Sequence, residues 1–234
     1  RLETADVVLQ DGKILAIGTD LDPEVIFGSK VPALEIVDGR GKHLTPGIID
    51  EHTHIAATRG INEGTQASSA EVSIETAVNS EDVNIYRQLA GGVTTAQILH
   101  GSANPIGGQS AIIKFRWGAS PQEMLFDAAP TFIKFALGEN VKQSNWGNDY
   151  RSRFPQTRMG VEQVYYDHFI RAREYEQAWK DHAQMLRKAS RRSKKRNNLP
   201  AAPRKDLELE TLSQILNSER FVTATVTAKM KSTC

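Results

Sequence analysis

The segment richest in chemistry is Pro46-Gly47-Ile48-Ile49-Asp50-Glu51-His52-Thr53-His54. Along a β-strand, residues two apart point to the same face, so His52 and His54 project together. Two neutral imidazoles on one face can donate ring nitrogens to a single cation, and zinc accepts such ligands readily. The apolar pair Ile48-Ile49 in front of them predicts a short buried strand that ends at the histidines. A bare His-x-His also arises by chance, so its weight depends on the elements around it.

Those elements alternate. Residues 5–18 hold two apolar runs around Asp11-Gly12, the dipeptide that supplies the positive backbone angles of a two-residue hairpin. Residues 33–44 repeat the style around Asp38-Gly39, so residues 1–45 read as a small antiparallel β element. Beyond Thr45, apolar runs at 93–99, 111–113 and 132–137 alternate with helical spacing. Residues 80–90 open with Ser80 as the expected N-cap and close at Gly91-Gly92. Residues 160–187 carry Val161, Tyr165, Phe169, Ala172, Tyr175, Trp179 and Leu186 at three- and four-residue spacing, the mark of a long amphipathic helix. A last helix is expected from Asp206 to Ser218. Strand and helix in alternation predict βαβ units and a parallel sheet, hence an α/β fold.

Composition removes several alternatives. The 234 residues are 39% hydrophobic and 24% charged, an ordinary globular balance. With 29 Lys+Arg against 28 Asp+Glu, the chain lacks the overall basicity of a dedicated nucleic-acid binder. The run RKASRRSKKR at 187–196 has no interleaved aromatics and reads as a solvated helix end and loop, so no nucleic-acid partner is expected. No apolar run of about 18 residues occurs, and no membrane partner is expected. The single Cys234 excludes an intramolecular disulfide and a multi-cysteine zinc site. The compartment stays open between the cytoplasm and periplasm of a soluble protein, and oligomeric state is not readable.

The segment DGRGKHLTPGIIDEHTH, residues 38–54, resembles the barrel entry of the amidohydrolase superfamily, and Gly91-Gly92-Val93-Thr94-Thr95 looks like the family's second-strand entry. Within the superfamily the nearest likeness is to the imidazolonepropionase-like and aminoacyl-proline dipeptidase-like branch. The resemblance implies a partial (β/α)8 TIM barrel preceded by part of a small β-sandwich. It implies residues 1–45 in the sandwich and 46–222 in the first half of the barrel. It also implies one or two divalent metal ions, with zinc the first choice, a small-molecule substrate, and hydrolysis of an amide, cyclic amidine or short dipeptide C–N bond by metal-activated water. About 190 residues remain for the barrel, whereas a complete one takes around 250, so an inactive fragment or metal-binding remnant is the competing expectation.

Carried over by resemblance, His52 and His54 become metal ligands and Asp50 a group that holds an imidazole in the right tautomer. Lys134, in Phe132-Ile133-Lys134-Phe135, resembles the strand lysine that related enzymes carboxylate to bridge two metals, which makes it both ligand and catalytic candidate. The competing reading for Lys134 is a pair with a carboxylate, and Glu139 is its rival as a ligand. His100, in the loop after the second strand, and Gln109, after Gly107-Gly108, are expected near the substrate. The glycine pair also reads as a tight turn. His43, His168 and His182 are expected to be structural or surface residues.

Phe221-Val222 starts like a further strand, but residues 223–234 offer no apolar periodicity. Shifted by one base, their degenerate codons can encode His-Cys-His-Ser-Tyr after the valine, which is what the resemblance would place there. Residues 223–234 are therefore expected to be out-of-frame peptide.

Overall fold

The computed structural model describes residues 4–58, 60–147, 153–192 and 201–227. The chain divides into two units, Arg1–Pro46 and Gly47–Cys234.

In the first unit, β1 (Asp6–Gln10) and β2 (Lys13–Gly18) form the expected antiparallel hairpin. Asp11 (φ 50°) and Gly12 (φ 72°) both take positive φ, the turn whose twist matches that of the strands it joins. A short helix α1 (Pro23–Phe27), capped by Asp22, follows. Residues 33–44 differ from expectation and carry no strand. Asp38 closes a local turn instead: its Oδ1 accepts the Arg40 backbone N–H at 3.1 Å, and Lys42 N–H donates to the Gly39 carbonyl at 2.9 Å. Among the described residues the flanking runs find no partner strand, and β propensity alone does not sustain pairing.

The second unit is an α/β fold on a five-stranded sheet, in the order β3 (Ile48–Thr53), β4 (Val93–Ile98), β5 (Ile106–Lys114), β6 (Phe132–Gly138), β7 (Phe221–Thr227). β3 and β4 run parallel, as do β6 and β7, but β5 is antiparallel to both of its neighbours. The wholly parallel sheet expected from alternation is thus corrected. Seven residues separate β4 from β5, and a parallel crossover needs about a dozen or more. β3 lies at the edge of the sheet, with Ile48 55% and Ile49 72% exposed, which corrects the expectation of a buried strand. β7 pairs with β6 in unbroken register from Phe132–Phe221 to Gly138–Thr227, and residues 228–234 lie outside the described residues.

Helices cover one face. α2 (Val83–Ala90) starts from Asp82 rather than Ser80: Asp82 Oδ1 accepts the Asn84 N–H at 2.9 Å. Its Ile85 packs with Ala96, Ile98, Ala111, Ile113 and Met124, the last at the end of the short helix α3 (Pro121–Met124). The long helix α4 (Arg158–Arg192) places Val164 and Ala172, and α5 (Leu207–Leu216) places Leu209 and Leu212, against Ile133 and Phe135 of β6. The spacing of residues 160–187 thus marks the packed stripe of a helix that runs on to Arg192. Among the described residues no helix is long and apolar enough to cross a membrane.

The sheet curls strongly. β3 and β6 are three strands apart, about 14 Å in a flat sheet at the usual spacing. Yet the Lys134 Nζ of β6 lies 3.3 Å from the His52 Nε2 of β3. Gln97 on β4 likewise donates from Nε2 to Thr223 Oγ1 on β7 at 3.0 Å, also across three strands. Side chains meet over such spans only on the concave face of a curled, half-barrel sheet.

Candidate active site

The histidine spacing produces the expected geometry. The His52 and His54 rings meet edge to face with centroids 5.2 Å apart. His54 Nδ1 lies 3.1 Å from the Leu99 carbonyl, which can only accept, so the ring proton sits on Nδ1 and the Nε2 lone pair is left bare. For His52, the nitrogen facing Lys134 is Nε2, where a lysine N–H donates to the ring lone pair. Burial, and then the charges of Lys134 and His54, push the His52 pKa down. Burial also lowers that of His54. Both imidazoles are therefore neutral around pH 7, the form in which histidine binds a cation.

Lys134 is fully buried, and burial draws its pKa from 10.5 down to about 8. Among the described residues no carboxylate offsets that cost, and the strand lysine forms no ion pair of the kind the competing reading expected. Asp50 differs from expectation in its contact: its Oδ1 accepts the His52 backbone N–H at 3.1 Å, not an imidazole proton. It steadies the peptide that carries the ring. Gln97, 7% exposed, and Thr223 complete the polar floor of the concave face, and the sequence reading missed both as site residues. A glutamine set between Ala96 and Ile98 in a β-branched strand was the available signal for the first. Among the described residues, no three His, Cys, Asp or Glu side chains come together as a metal-binding group.

No family model matches the sequence. An amidohydrolase structure from Thermotoga maritima superposes with a TM-score of 0.70 over 95% of this chain, at 32% identity. The amidohydrolase tasK of Hapsidospora irregularis is 33% identical over 173 residues. The imidazolonepropionase of a Geobacillus species is 45% identical over 53 residues. The chain belongs to the amidohydrolase superfamily. The chain spans 53% of the Thermotoga chain, 17% of the Hapsidospora protein and 12% of the Geobacillus enzyme, while those two curated matches cover 66% and 23% of this chain.

In this amidohydrolase segment the other expected site residues are bound to protein. His100 is 3% exposed; its Nδ1 lies 2.7 Å from the Gly101 carbonyl, and its Nε2 accepts the Glu63 N–H at 2.7 Å. Gln109 donates from Nε2 to the Ala70 carbonyl at 3.0 Å and to Thr211 Oγ1 on α5 at 3.2 Å. Neither ring nitrogen of His100 is left for a substrate, and the Gln109 amide nitrogen is equally committed. Gly107 and Gly108 lie inside β5, at an irregularity in its pairing with β6, rather than in a turn. Glu139 is clamped by Lys142 at 2.6 Å and by Arg158 at 2.6 Å, which commits it away from a ligand role. His168 and His182 are structural as expected: His168 pairs with Glu208 at 3.1 Å, and the His182 ring stands 6.0 Å from that of Trp179. His43 lies on the surface of the first unit.

Proposed function

We propose that the chain forms part of the active site of a metal-dependent amidohydrolase that breaks a C–N bond in a non-standard amide, a cyclic amidine or a short dipeptide. The observation that carries this reading is the convergence of His52, His54 and the buried Lys134 on the concave face of the sheet. The imidazolonepropionase relative favours a small cyclic compound within that range.

The donor set suits a borderline divalent cation, zinc first, with His52 and His54 as its holders. Such an ion, when bound, polarises a carbonyl and acidifies a water toward neutrality. The chain's own residues do the rest. The Leu99 carbonyl keeps the His54 proton on Nδ1 so that Nε2 faces the site. Asp50 fixes the backbone at His52. Lys134 offers its Nζ to the same His52 lone pair that a cation needs, so ligation at His52 requires the lysine to be neutral or modified. A neutral Nζ can bond to the carbon of CO2 and release a proton, which gives a carbamate able to serve a second ion; a pKa near 8 makes the neutral amine accessible. One ion or two then depends on that modification.

The test is metal content and turnover on the full chain. Wild type is expected to retain about one or two zinc ions after dialysis, and the His52→Asn/His54→Asn double variant almost none. Hydrolysis of amide, hydantoin-type and dipeptide substrates is measured in parallel. A second reading, a catalytically inactive fragment or metal-binding remnant, is favoured by one observation: two imidazoles are one ligand short of the three protein ligands usual at catalytic zinc. Wild type that retains no metal and hydrolyses nothing supports this second reading against the first.

A further inference from the structure

The proposed chemistry leaves one buried, doubly bonded ring without a role. His100 faces an acceptor at one nitrogen, the Gly101 carbonyl, and a donor at the other, the Glu63 N–H. Only the neutral ring with its proton on Nδ1 satisfies both. Its partners are themselves held. The Glu63 carbonyl accepts from Asn104 Nδ2 at 3.1 Å, and the fully buried Asn104 also donates to Ser69 Oγ at 2.8 Å. Gly101 N–H donates to the Ile61 carbonyl at 3.1 Å. The loop after β3 and the loop after β4 are thus tied together through this ring and its neighbours.

Both halves of the candidate site border that knot. The residue before His100 is Leu99, whose carbonyl fixes the His54 tautomer at 3.1 Å. The ring also lies against β5, where a Cβ on Gly107 would stand 2.9 Å from His100 Nδ1 and 3.0 Å from the Lys134 carbonyl. A Cβ on Gly108 would stand 3.2 Å from His100 Cδ2. Imidazole, glycine and the Lys134 backbone are therefore packed in series with no slack. At Gly107 the ring and the Lys134 carbonyl of β6 leave no room for a side chain, and at Gly108 Val72, 2.7 Å from the added Cβ, and the ring do the same.

We propose that His100 is a positioning residue for the amidohydrolase site: by locking residues 99–101 it makes the Leu99 carbonyl present His54 with Nε2 bare, and through Gly107 it sets where β6 places Lys134. Its role as a metal-site device rests on the function proposed above. The coupling between His100 and the His54 tautomer does not.

The experiment reads histidine tautomers by long-range ¹H–¹⁵N correlation on the ¹⁵N-labelled full chain without metal. In wild type, His54 and His100 are expected as Nδ1–H tautomers. His100→Asn keeps a donor for Gly101 but loses the acceptor for Glu63, and His100→Gln does the converse. In both variants His54 is expected to become a mixture of tautomers, with zinc affinity about 10- to 100-fold weaker. Gly107→Ala keeps both ring nitrogens but sets a Cβ 2.9 Å from His100 Nδ1, which displaces the ring, and it is expected to shift His54 the same way. It serves if the His100 variants do not fold. Gly64→Ala, whose new Cβ meets Ala103 at an ordinary 3.4 Å, should leave His54 unchanged. The proposal is overturned if wild-type His54 carries its proton on Nε2. It is equally overturned if His54 stays wholly Nδ1–H in folded variants, or if zinc binds them as tightly as wild type. A shifted tautomer in a chain that never binds zinc keeps the coupling and removes the metal function instead.

Discussion

Replacing Lys134 with methionine should stabilise the chain at neutral pH, and the gain should disappear as the pH rises. The lysine is fully buried, and burial alone lowers its pKa from 10.5 to about 8. At about 1.36 kcal/mol per pH unit, holding the charged form in that position costs about 3 kcal/mol. The sign follows from proton binding. Between pH 8 and 10.5 the unfolded chain holds the proton that the folded chain has released, so wild-type stability climbs with pH across that interval. Below it the cost is present in full, and above it the cost is gone. Methionine has a similar length and no charge, so Lys134→Met should unfold about 3 kcal/mol harder at pH 7, roughly 6–12 °C in melting temperature for a chain of this size. The two proteins should converge near pH 10.5. Urea unfolding at several pH values, with chelator and in CO2-free buffer so that neither a metal nor a carbamate removes the charge, measures the difference. Groups that titrate identically in both proteins cancel. A difference that does not vary between pH 7 and 10.5, or a methionine variant several kcal/mol weaker at pH 7, refutes the reasoning.

Two further outcomes are expected. Asp82→Ala should cost about 2–4 kcal/mol in thermal melts, because it removes the cap of α2 and strands the buried Ala56 N–H that donates to Asp82 Oδ2 at 2.8 Å; Asp82→Asn, which keeps one acceptor oxygen, should cost less than half as much. His168 faces two acceptors, the Val164 carbonyl at 2.7 Å and Glu208 at 3.1 Å; burial works against its charge, yet these bonds prevail and raise its pKa, while Glu208, also opposed by burial, is lowered by the same contact. The pair's contribution is therefore full between pH 4.5 and 6.5, fading as pH rises through the raised pKa of His168 or falls through the lowered one of Glu208. Hydrogen exchange of α5 amides should show weaker protection at pH 8 than at pH 5.5, and equal protection at both would sink the assignment.

Local relations were legible in the sequence, and relations set by the sheet were not. His52 and His54 share a face because a strand repeats every two residues, and the long helix is periodic over enough turns to be read directly. The direction of β5 depends on the seven linking residues 99–105, whose Asn104-Pro105 signals a turn but not the direction of the strand after it, so alternation alone suggested the wrong sheet. Gly107-Gly108 reads as a turn from composition, whereas the structure presses the His100 ring and the Lys134 carbonyl against Gly107, and Val72 and the same ring against Gly108. His100 and Gln109 are polar and near the site in sequence, but their partners Glu63 and Thr211 come from elements that no local pattern connects to them.

Lys134 shows what the sheet adds. Within Phe132-Ile133-Lys134-Phe135 it is one cation in an apolar strand, and its type alone predicts solvent or a carboxylate partner. Curling brings it instead to His52, 82 residues away in the chain, where no carboxylate among the described residues meets it and burial works against its charge. A methionine of the same reach would avoid that cost, so packing gives no reason for a lysine here. What the ammonium group can do that a thioether cannot is lose a proton near neutrality and act on the neighbouring imidazole or on CO2. Strongly shifted ionisable groups gather where chemistry needs them, and in this chain the buried lysine and the paired histidines meet at one point of the concave face.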